Sequence, residues 1–363
     1  MTKKKRRTHW FFGLLFRILL IVAAAAMVLS YVALFVNPSK CALPLLFGLF
    51  FIPILFLNVL LMVVALANRS KSVWIPIIVA LPSLLYAELF YKFSAGDTPD
   101  KEGIVMRVES FNVGMFSSSS LYKTRDACRK ALVESLQRTS PDVVSLQEFF
   151  VENYQMADTL LGRLYPYRYY HLFKVHNGKL FGTMILSKLP IMESGTIRFR
   201  RSTNLSVWAD IDHYGRRIRV YNNHLESYNI SFTSLVKRFA EEESAEQIGM
   251  QLEEVGQKMI GTVIRRSDQA NAILENINGC SFPAIICGDF NDTPMSYVYH
   301  TLAKGRKDSF KDCGKGFGST FAPLWPLLRI DYIIYPEEYC GMSHKVLKEN
   351  ISDHYPVVAE III

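Results

Sequence analysis

Ala284-Ile285-Ile286-Cys287-Gly288-Asp289-Phe290-Asn291-Asp292 is the stretch on which the reading of this chain turns. A short apolar run ends at a glycine, and a carboxylate, an aromatic ring and an amide follow at once. Apolar β-rich runs of about four to eight residues, bounded by Gly, Asn or Asp, read as buried strands. The spacing therefore predicts a strand over Ala284–Gly288 with polar groups at its carboxyl end. Side chains alternate along an extended segment, so Asp289 and Asn291 are expected on one side and Phe290 on the other. Alone the stretch proves no chemistry, because Asp and Asn at a strand end are commonly turn formers.

The same pattern recurs along the chain. Asn112 follows Val108–Phe111, Glu148 follows Val143–Gln147, and His224 follows Val220–Asn223. Asp331 precedes Tyr332-Ile333-Ile334, and Asp353-His354 precedes Pro356-Val357-Val358. Strands are expected at Val105–Asn112, Val143–Gln147, Met184–Ser187, Val207–Ile211, Ile218–Asn223, Ala284–Gly288, Ile330–Tyr335 and Val357–Ile362. Helices are expected at Thr124–Gln137, Phe232–Val255 and Thr262–Ile277. The Glu-rich stretch Phe232–Val255 reads as a solvated amphipathic face, with a flap over a site or a surface near the bilayer as the alternative. Strands joined by both short and helical connections imply a mixed α/β layered domain.

These strand ends supply an inventory suited to phosphoryl hydrolysis. A hard cation such as Mg²⁺ takes oxygen ligands, and Glu148 suits that role. Asp289 suits a base that orients or deprotonates water, with Asn291 beside it to donate to phosphate. Histidines such as His224 and His354 can donate to phosphoryl oxygens where charge grows. A carboxylate on the other ring nitrogen fixes the tautomer, and either Asp331 or Asp353 could do this for His354.

The segments Ser110-Phe111-Asn112-Val113, Ser145-Leu146-Gln147-Glu148, Asn223-His224-Leu225-Glu226, Gly288-Asp289-Phe290-Asn291-Asp292, Arg329-Ile330-Asp331-Tyr332 and Ser352-Asp353-His354-Tyr355-Pro356 resemble the motifs of the endonuclease/exonuclease/phosphatase superfamily. That group includes deoxyribonuclease-I-like nucleases, abasic-site endonucleases, neutral sphingomyelinases and inositol-phosphate 5-phosphatases. The resemblance runs in order from about Val105 to the C-terminus. It implies a four-layer α/β/β/α sandwich of two mixed β-sheets flanked by helices, with the site at one end. It also implies Mg²⁺, with Mn²⁺ as a substitute, held by Glu148 and Asn112, with Asp353 serving the metal or its water shell. By the same resemblance Asp289 orients or deprotonates the attacking water and Asn291 binds the phosphate. His354, paired with Asp331, contacts the scissile phosphate, and His224 assists phosphate binding or leaving-group protonation. Gly114 departs from the abasic-site enzymes, which carry an acid there, and argues against that branch and against a second metal ligand at this point. Gly182, Ser187-Lys188, Arg265, Arg266 and Gln269 read as scaffold, and Thr320-Phe321 as lining beside Asp331.

Outside this domain the composition changes. The chain has 363 residues, half of them hydrophobic, and the long apolar runs fall in the first 100. Three segments, Phe11–Val36, Ala42–Ala67 and Val73–Phe90, approach or exceed the roughly 20 apolar residues a membrane helix needs. The first is too long for a signal-peptide core and is followed by two more. Expected domains are thus an anchor of three transmembrane helices at 1–93, a linker at 94–103 and a phosphoesterase domain at 104–363. The first 100 residues carry 10 Lys and Arg against 3 Asp and Glu, whereas the whole chain carries 41 against 33. The basic balance therefore belongs to the membrane end, and the remainder lacks the bulk charge of a nucleic-acid binder. Lys3-Lys4-Lys5-Arg6-Arg7 and Arg69 with Lys71 place the N-terminus and the second loop in the cytoplasm. With three spans, the catalytic part lies outside the cytoplasm of a bacterial-type plasma membrane. If the third segment lies along the interface, the catalytic part falls on the cytoplasmic side. Six cysteines lack metal-binding spacing; Cys313 and Cys340 could pair in an oxidising compartment, although buried free thiols fit most of them.

The expectation is an integral membrane, Mg²⁺-dependent phosphoesterase acting on a lipid head group or small phosphodiester. The alternative is a membrane-bound nuclease for extracytoplasmic DNA or RNA, distinguished by a steep salt dependence of binding. A third reading, an inactive membrane scaffold, predicts loss of a site residue, and all are present. No protein partner is expected.

Overall fold

In a computed structural model, residues 3–94, 102–175, 178–200, 202–228 and 245–363 are described. The strands in chain order are β1 Tyr91–Lys92, β2 Val105–Asn112, β3 Val143–Val151, β4 Tyr167–Lys174, β5 Leu180–Ser187, β6 Ile191–Arg198, β7 Leu205–His213, β8 Arg216–His224, β9 Ala284–Asp289, β10 Arg306–Asp308, β11 Gly316–Phe317, β12 Asp331–Pro336, β13 Cys340–Val346 and β14 Val357–Ile362. Two six-stranded sheets run β13-β14-β2-β3-β5-β4 and β10-β12-β9-β8-β7-β6. Each holds one parallel pair, β2 with β3 and β8 with β9, among antiparallel neighbours.

A parallel pair needs a crossover, usually a helix. Arg125–Thr139 supplies it between β2 and β3. Its start is fixed by the Thr124 hydroxyl accepting from the Ala127 N–H, and its end by Ser140 in the left-handed region. The helix Ala245–Asn278 enters β9 from the other side. It joins the end of one expected helix to the whole of another, and the remainder of the former, residues 232–244, lies outside the described residues, as does most of the expected linker.

Three apolar layers follow from strand alternation. Val108, Val143, Val207, Val220, Ile285 and Val357 meet between the sheets. Leu132, Leu136, Leu146 and Leu161 bury the outer face of the first sheet under Arg125–Thr139 and Tyr154–Leu161. The outer face of the second sheet packs against Ala270 and Ile273 of the long helix. This is the expected arrangement of two mixed sheets flanked by helices.

That third layer also takes in the N-terminal region: Met27, Leu34, Phe51 and Leu89 share it with Phe290, Met295 and Val298. The ends of three apolar segments therefore gather on the two-sheet domain. Lys3–Arg7 and the turn at Arg69–Lys71 stand at the opposite ends of the same helices.

The three segments differ from three unbroken spans. Phe11–Val32 and Lys71–Leu89 are long and apolar enough to cross a membrane. The middle segment breaks into Leu43–Leu49 and Phe51–Ala67, meeting at 75°. Pro53 explains the break, because in a continuous helix its ring would strike the carbonyl four residues back, on Leu49. Phe51–Ala67 alone is 17 residues, about 25 Å at the helical rise. Pro82 acts similarly: from Leu81 to Leu89 the chain winds as a tighter 3₁₀ helix. All six cysteines are free thiols, Cys313 and Cys340 included.

Candidate active site

The carboxyl ends of β2, β3, β8 and β9 converge at one end of the two sheets. Open α/β sheets bind ligands outside such strand ends. Asn112 and His224 are the last residues of β2 and β8, and Asp289 closes β9. Directly across from Asp289 in the ladder stands Asp331, the first residue of β12.

Two backbone irregularities aim the side chains. The pairing of β3 with β5 shifts register between Leu146 and Phe149, and Glu148 takes a φ of 52°. A bulge of this kind re-aims a side chain, here placing the Glu148 carboxylate within 3.5 Å of His224 Nε2. At β9, Gly288 has a φ of 132°, and a Cβ there would lie 2.0 Å from the Asn223 carbonyl oxygen. Only glycine lets β9 approach β8 so closely while turning into Asp289.

Asn112 joins the two halves of the site: its Nδ2 donates to Glu148 Oε1 at 3.2 Å and to Asp289 Oδ2 at 3.0 Å. The Gly114 N–H donates to Asn112 Oδ1, which fixes the amide orientation. Asn291 does reach Asp289, with Nδ2 at 3.3 Å from Oδ2 and its backbone N–H at 2.7 Å from Oδ1. The reason differs from the expected strand alternation, because β9 ends at Asp289 and Asn291 sits at a φ of 52°. It is a left-handed turn, not an extended segment, that folds the amide back.

His354 lies between two carboxylates. Its Nδ1 is 2.9 Å from Asp331 Oδ2 and its Nε2 is 3.8 Å from Asp289 Oδ2. Of the two candidate partners for its ring, Asp331 is the one in contact. Burial opposes the imidazolium, but Asp331 and then Asp289 outweigh it and raise the pKa to about 10. Burial raises the Asp289 pKa, with the His354 charge next and opposing. Asp353 is placed differently, for its carboxylate accepts from the Ser352 hydroxyl while its carbonyl accepts from the Ala322 N–H. Among the described residues no hydrogen bond joins Asp353 to Glu148 or Asn112.

The donor set suits a hard divalent cation. Four carboxylates (Glu148, Asp289, Asp331 and Asp353) face two imidazoles, an excess of negative charge in a largely buried site. Asp331 Oδ1 and His224 Nε2 are buried without hydrogen-bond partners, and such orphans cost free energy unless something satisfies them. Asp289, Asp331 and His354 bring one ligand atom each within 4.8 Å of one another. With His354 committed to Asp331 and holding its proton, however, the open oxygen donors are those of Glu148 and its neighbours.

One contributor, a pair of buried amides, escaped sequence reading. Gln147 Nε2 donates to Asn222 Oδ1 at 2.6 Å, and Asn222 Nδ2 donates to the Leu146 and Met184 carbonyls. This buried clamp ties the two sheets together directly behind Glu148 and His224. Its signal was available as two amides inside apolar runs. Thr320 and Phe321 do line the site: the Thr320 hydroxyl accepts from the Asp331 N–H, and the Phe321 ring meets His354 edge-on at 5.3 Å. Arg266 is buried against Asp292, at 3.0 Å, and donates to the Glu226 carbonyl. Among the other histidines, His344 is half-buried beside Ser309 and its pKa falls to about 4, because loss of solvent around the ring disfavours its charge; His176 lies outside the described residues.

A family model described as Endonuclease/Exonuclease/phosphatase family matches residues 110–354. A second, described as a domain of unknown function (DUF8431), matches residues 9–88. No curated protein matches the sequence. Among solved structures, the chain is similar to an endonuclease/exonuclease/phosphatase from Beutenbergia cavernae, at 17% identity and TM-score 0.53, covering 71% of this chain and 72% of that one. It is similar to a family protein from Bacteroides thetaiotaomicron, at 17% identity and TM-score 0.51, covering 72% and 99%. It is also similar to the human Nocturnin catalytic domain, at 19% identity and TM-score 0.51, covering 71% and 93%. At these identities the likeness is one of fold.

Proposed function

Because this chain belongs to the endonuclease/exonuclease/phosphatase family, whose members hydrolyse phosphate esters, we propose that it is a membrane-anchored, Mg²⁺-dependent phosphoesterase. The observation that carries this is the convergence of Asn112, Glu148, His224, Asp289 and Asn291 with the Asp331–His354 pair at one end of the sheets. Mg²⁺, or Mn²⁺ in its place, would be held by Glu148, with Asp353 serving its water shell, and would neutralise charge on the phosphoryl oxygens. Asn112, expected as a second ligand, instead turns its amide N–H groups to Glu148 and Asp289 and its Oδ1 to the Gly114 N–H, and so orients the carboxylates.

The chain's own residues do the rest. Asp289 accepts a proton from the attacking water as its oxygen bonds to phosphorus opposite the departing ester oxygen. Burial of that carboxylate raises its proton affinity towards that of a useful base. His354, held charged by Asp331, donates from Nε2 to a phosphoryl oxygen. Asn291 donates its amide to the phosphate, and His224, across from Glu148, assists there or protonates the leaving oxygen.

Residues 1–93 form the anchor, 94–103 the linker and 104–363 the catalytic domain. The anchor places the catalytic domain outside the cytoplasm of a bacterial-type plasma membrane. The gathering of the segment ends on that domain, with the basic stretches at the far ends, supports this orientation. Substrates of a tethered enzyme are those found at the membrane surface, a lipid head group or a small phosphodiester.

One observation favours the nuclease alternative. Arg198, Arg200 and Arg265 line a cavity of about 700 Å³ reached past Gln269, which contacts the chain two residues beyond His224. Full-length protein in detergent should be assayed on plasmid DNA, RNA, sphingomyelin, phosphatidylinositol phosphates and bis-p-nitrophenyl phosphate, with Mg²⁺ and with EDTA. The proposal expects EDTA-sensitive hydrolysis of at least one ester. Plasmid cleavage with a steep salt slope would select the nuclease, and inertness on the whole panel would refute hydrolysis.

A further inference from the structure

One loop joins the catalytic histidine to the point where the third apolar segment ends. The loop Phe321–Leu328 is closed at its base, where the Thr320 and Phe321 N–H groups donate to the Leu328 carbonyl. Its first residue packs on His354, and the Ala322 N–H donates to the Asp353 carbonyl. Its tip is apolar and uncovered, with Leu324, Trp325 and Leu327 between 39% and 45% exposed. Charged or polar residues would be the ordinary choice for a rim loop in water; an apolar cluster of this kind marks an interaction surface.

The other side of the loop leads to the apolar segment Lys71–Leu89. Arg329, just past the loop, donates from Nε to the Leu89 carbonyl, and the Gly318 N–H donates to that of Phe90. The next two residues form β1, which pairs with β11 so that Tyr91 stands opposite Phe317. Rings then run from Phe93 to Tyr91 to Phe317 to Trp325, with centroids 4.9, 4.9 and 5.9 Å apart. Phe93 is 88% exposed. Cations border this row: Lys348 Nζ lies 3.7 Å over the Trp325 ring, and Lys315 and Lys345 line the adjoining cavity of about 440 Å³. Aromatic rings and snorkelling lysines at the end of an apolar span mark the level of lipid head groups.

Resting on the membrane-anchored phosphoesterase reading, we infer that the loop Phe321–Leu328 inserts into the interface of the bilayer that holds the anchor, so that the site's substrate is a phosphate ester of a lipid taken from that bilayer. The occupant of the apolar surface is the bilayer itself, by continuity with Leu89 and by the match of lysines to anionic head groups. The short path from Trp325 through Phe321 to His354 puts the reacting groups at head-group depth. A phosphate there reaches the site without its acyl chains leaving the membrane.

The test uses the full chain in vesicles of phosphatidylglycerol and phosphatidylcholine. Leu324→Glu/Leu327→Glu changes two exposed side chains. It should lower hydrolysis of a vesicle-embedded long-chain phosphate ester by roughly tenfold or more while leaving soluble bis-p-nitrophenyl phosphate within about twofold. Equal rates of variant and wild type on the embedded ester would overturn the inference, as would wild type that cleaves the soluble ester and no embedded one. Failure of wild type on both would instead sink the phosphoesterase reading, and release of the chain by alkaline carbonate would sink the anchor. A measurement independent of catalysis is quenching by lipids brominated near the carbonyls. The quenched emission should fall in Trp325→Phe, and an unchanged signal would place the ring outside the bilayer.

Discussion

At the residue scale, Glu109 offers the cleanest electrostatic test because it lies apart from the reacting groups. It is fully buried in β2, with Thr139 Oγ1 donating to Oε2 and Oε1 left unpartnered. Burial raises its pKa from 4.5 to about 7, more than the Thr139 hydrogen bond can offset. The folded state thus keeps a proton that the unfolded chain releases, and stability falls as pH rises between those values. The stability is fully present below 4.5 and lost on passing 7, a change of about 3 kcal/mol at most. Glu109→Gln should flatten this fall and melt above wild type at pH 8 while matching it at pH 5. Parallel pH profiles would contradict the assignment. At the site, Asp331→Asn should lower the His354 pKa, visible in the imidazole proton shifts, and reduce turnover by roughly a hundredfold. An unshifted titration would dissociate the pair. Residue identities at the site were legible because polar groups ended apolar runs in a recognisable order. Residue types alone left two aspartates open as the partner of His354; the resemblance named Asp331, and the ladder between β9 and β12 brings that one in.

Elements carry the geometry that the pattern of residue types leaves open. The eight strands expected from apolar runs all have counterparts: β2 and β14 match to the residue, whereas β3 and β5 run four residues beyond the expected bounds. Edge strands β4, β6 and β13 were missed, since half-exposed strands mix polar and apolar residues without a clean period. The bulge at Glu148 and the left-handed turn at Asn291 were hidden, because glutamate does not announce a positive φ and asparagine tolerates one without requiring it. Gly288 is the exception, for a glycine before a strand-ending carboxylate does announce a close approach. Gly288→Ala should destabilise the fold by about 2–4 kcal/mol, since both its φ and the Asn223 carbonyl oppose a methyl group. Thermal unfolding checks this, and a melting point within a degree or so of wild type would contradict the β8–β9 approach.

For the whole molecule, composition separates an apolar N-terminal region from the two-sheet domain more sharply than packing does. Apolar runs crowd the first 100 residues, but Met27, Leu34, Phe51 and Leu89 complete the apolar layer on the outer face of the second sheet. Gly48 fits against Met295, where a Cβ would meet the carbonyl oxygen at 2.4 Å, and the Asn37 amide donates to the Tyr297 hydroxyl. Such contacts across 260 residues leave no periodicity in sequence. Deleting residues 1–93 should therefore destabilise what remains, by about 1.5–3 kcal/mol for each buried side chain removed, and favour aggregation over soluble expression. A truncated domain that melts with the full chain would show the layer to be dispensable.

The central claim is that this end of the two sheets hydrolyses a phosphate ester through Asp289. The direct measurement is the Mg²⁺-dependent turnover of wild type against Asp289→Ala, both as full-length protein with matched melting points, on the best ester found. Loss of the group that takes the water's proton should lower the rate by roughly a thousandfold. Equal rates for the two proteins would contradict the account.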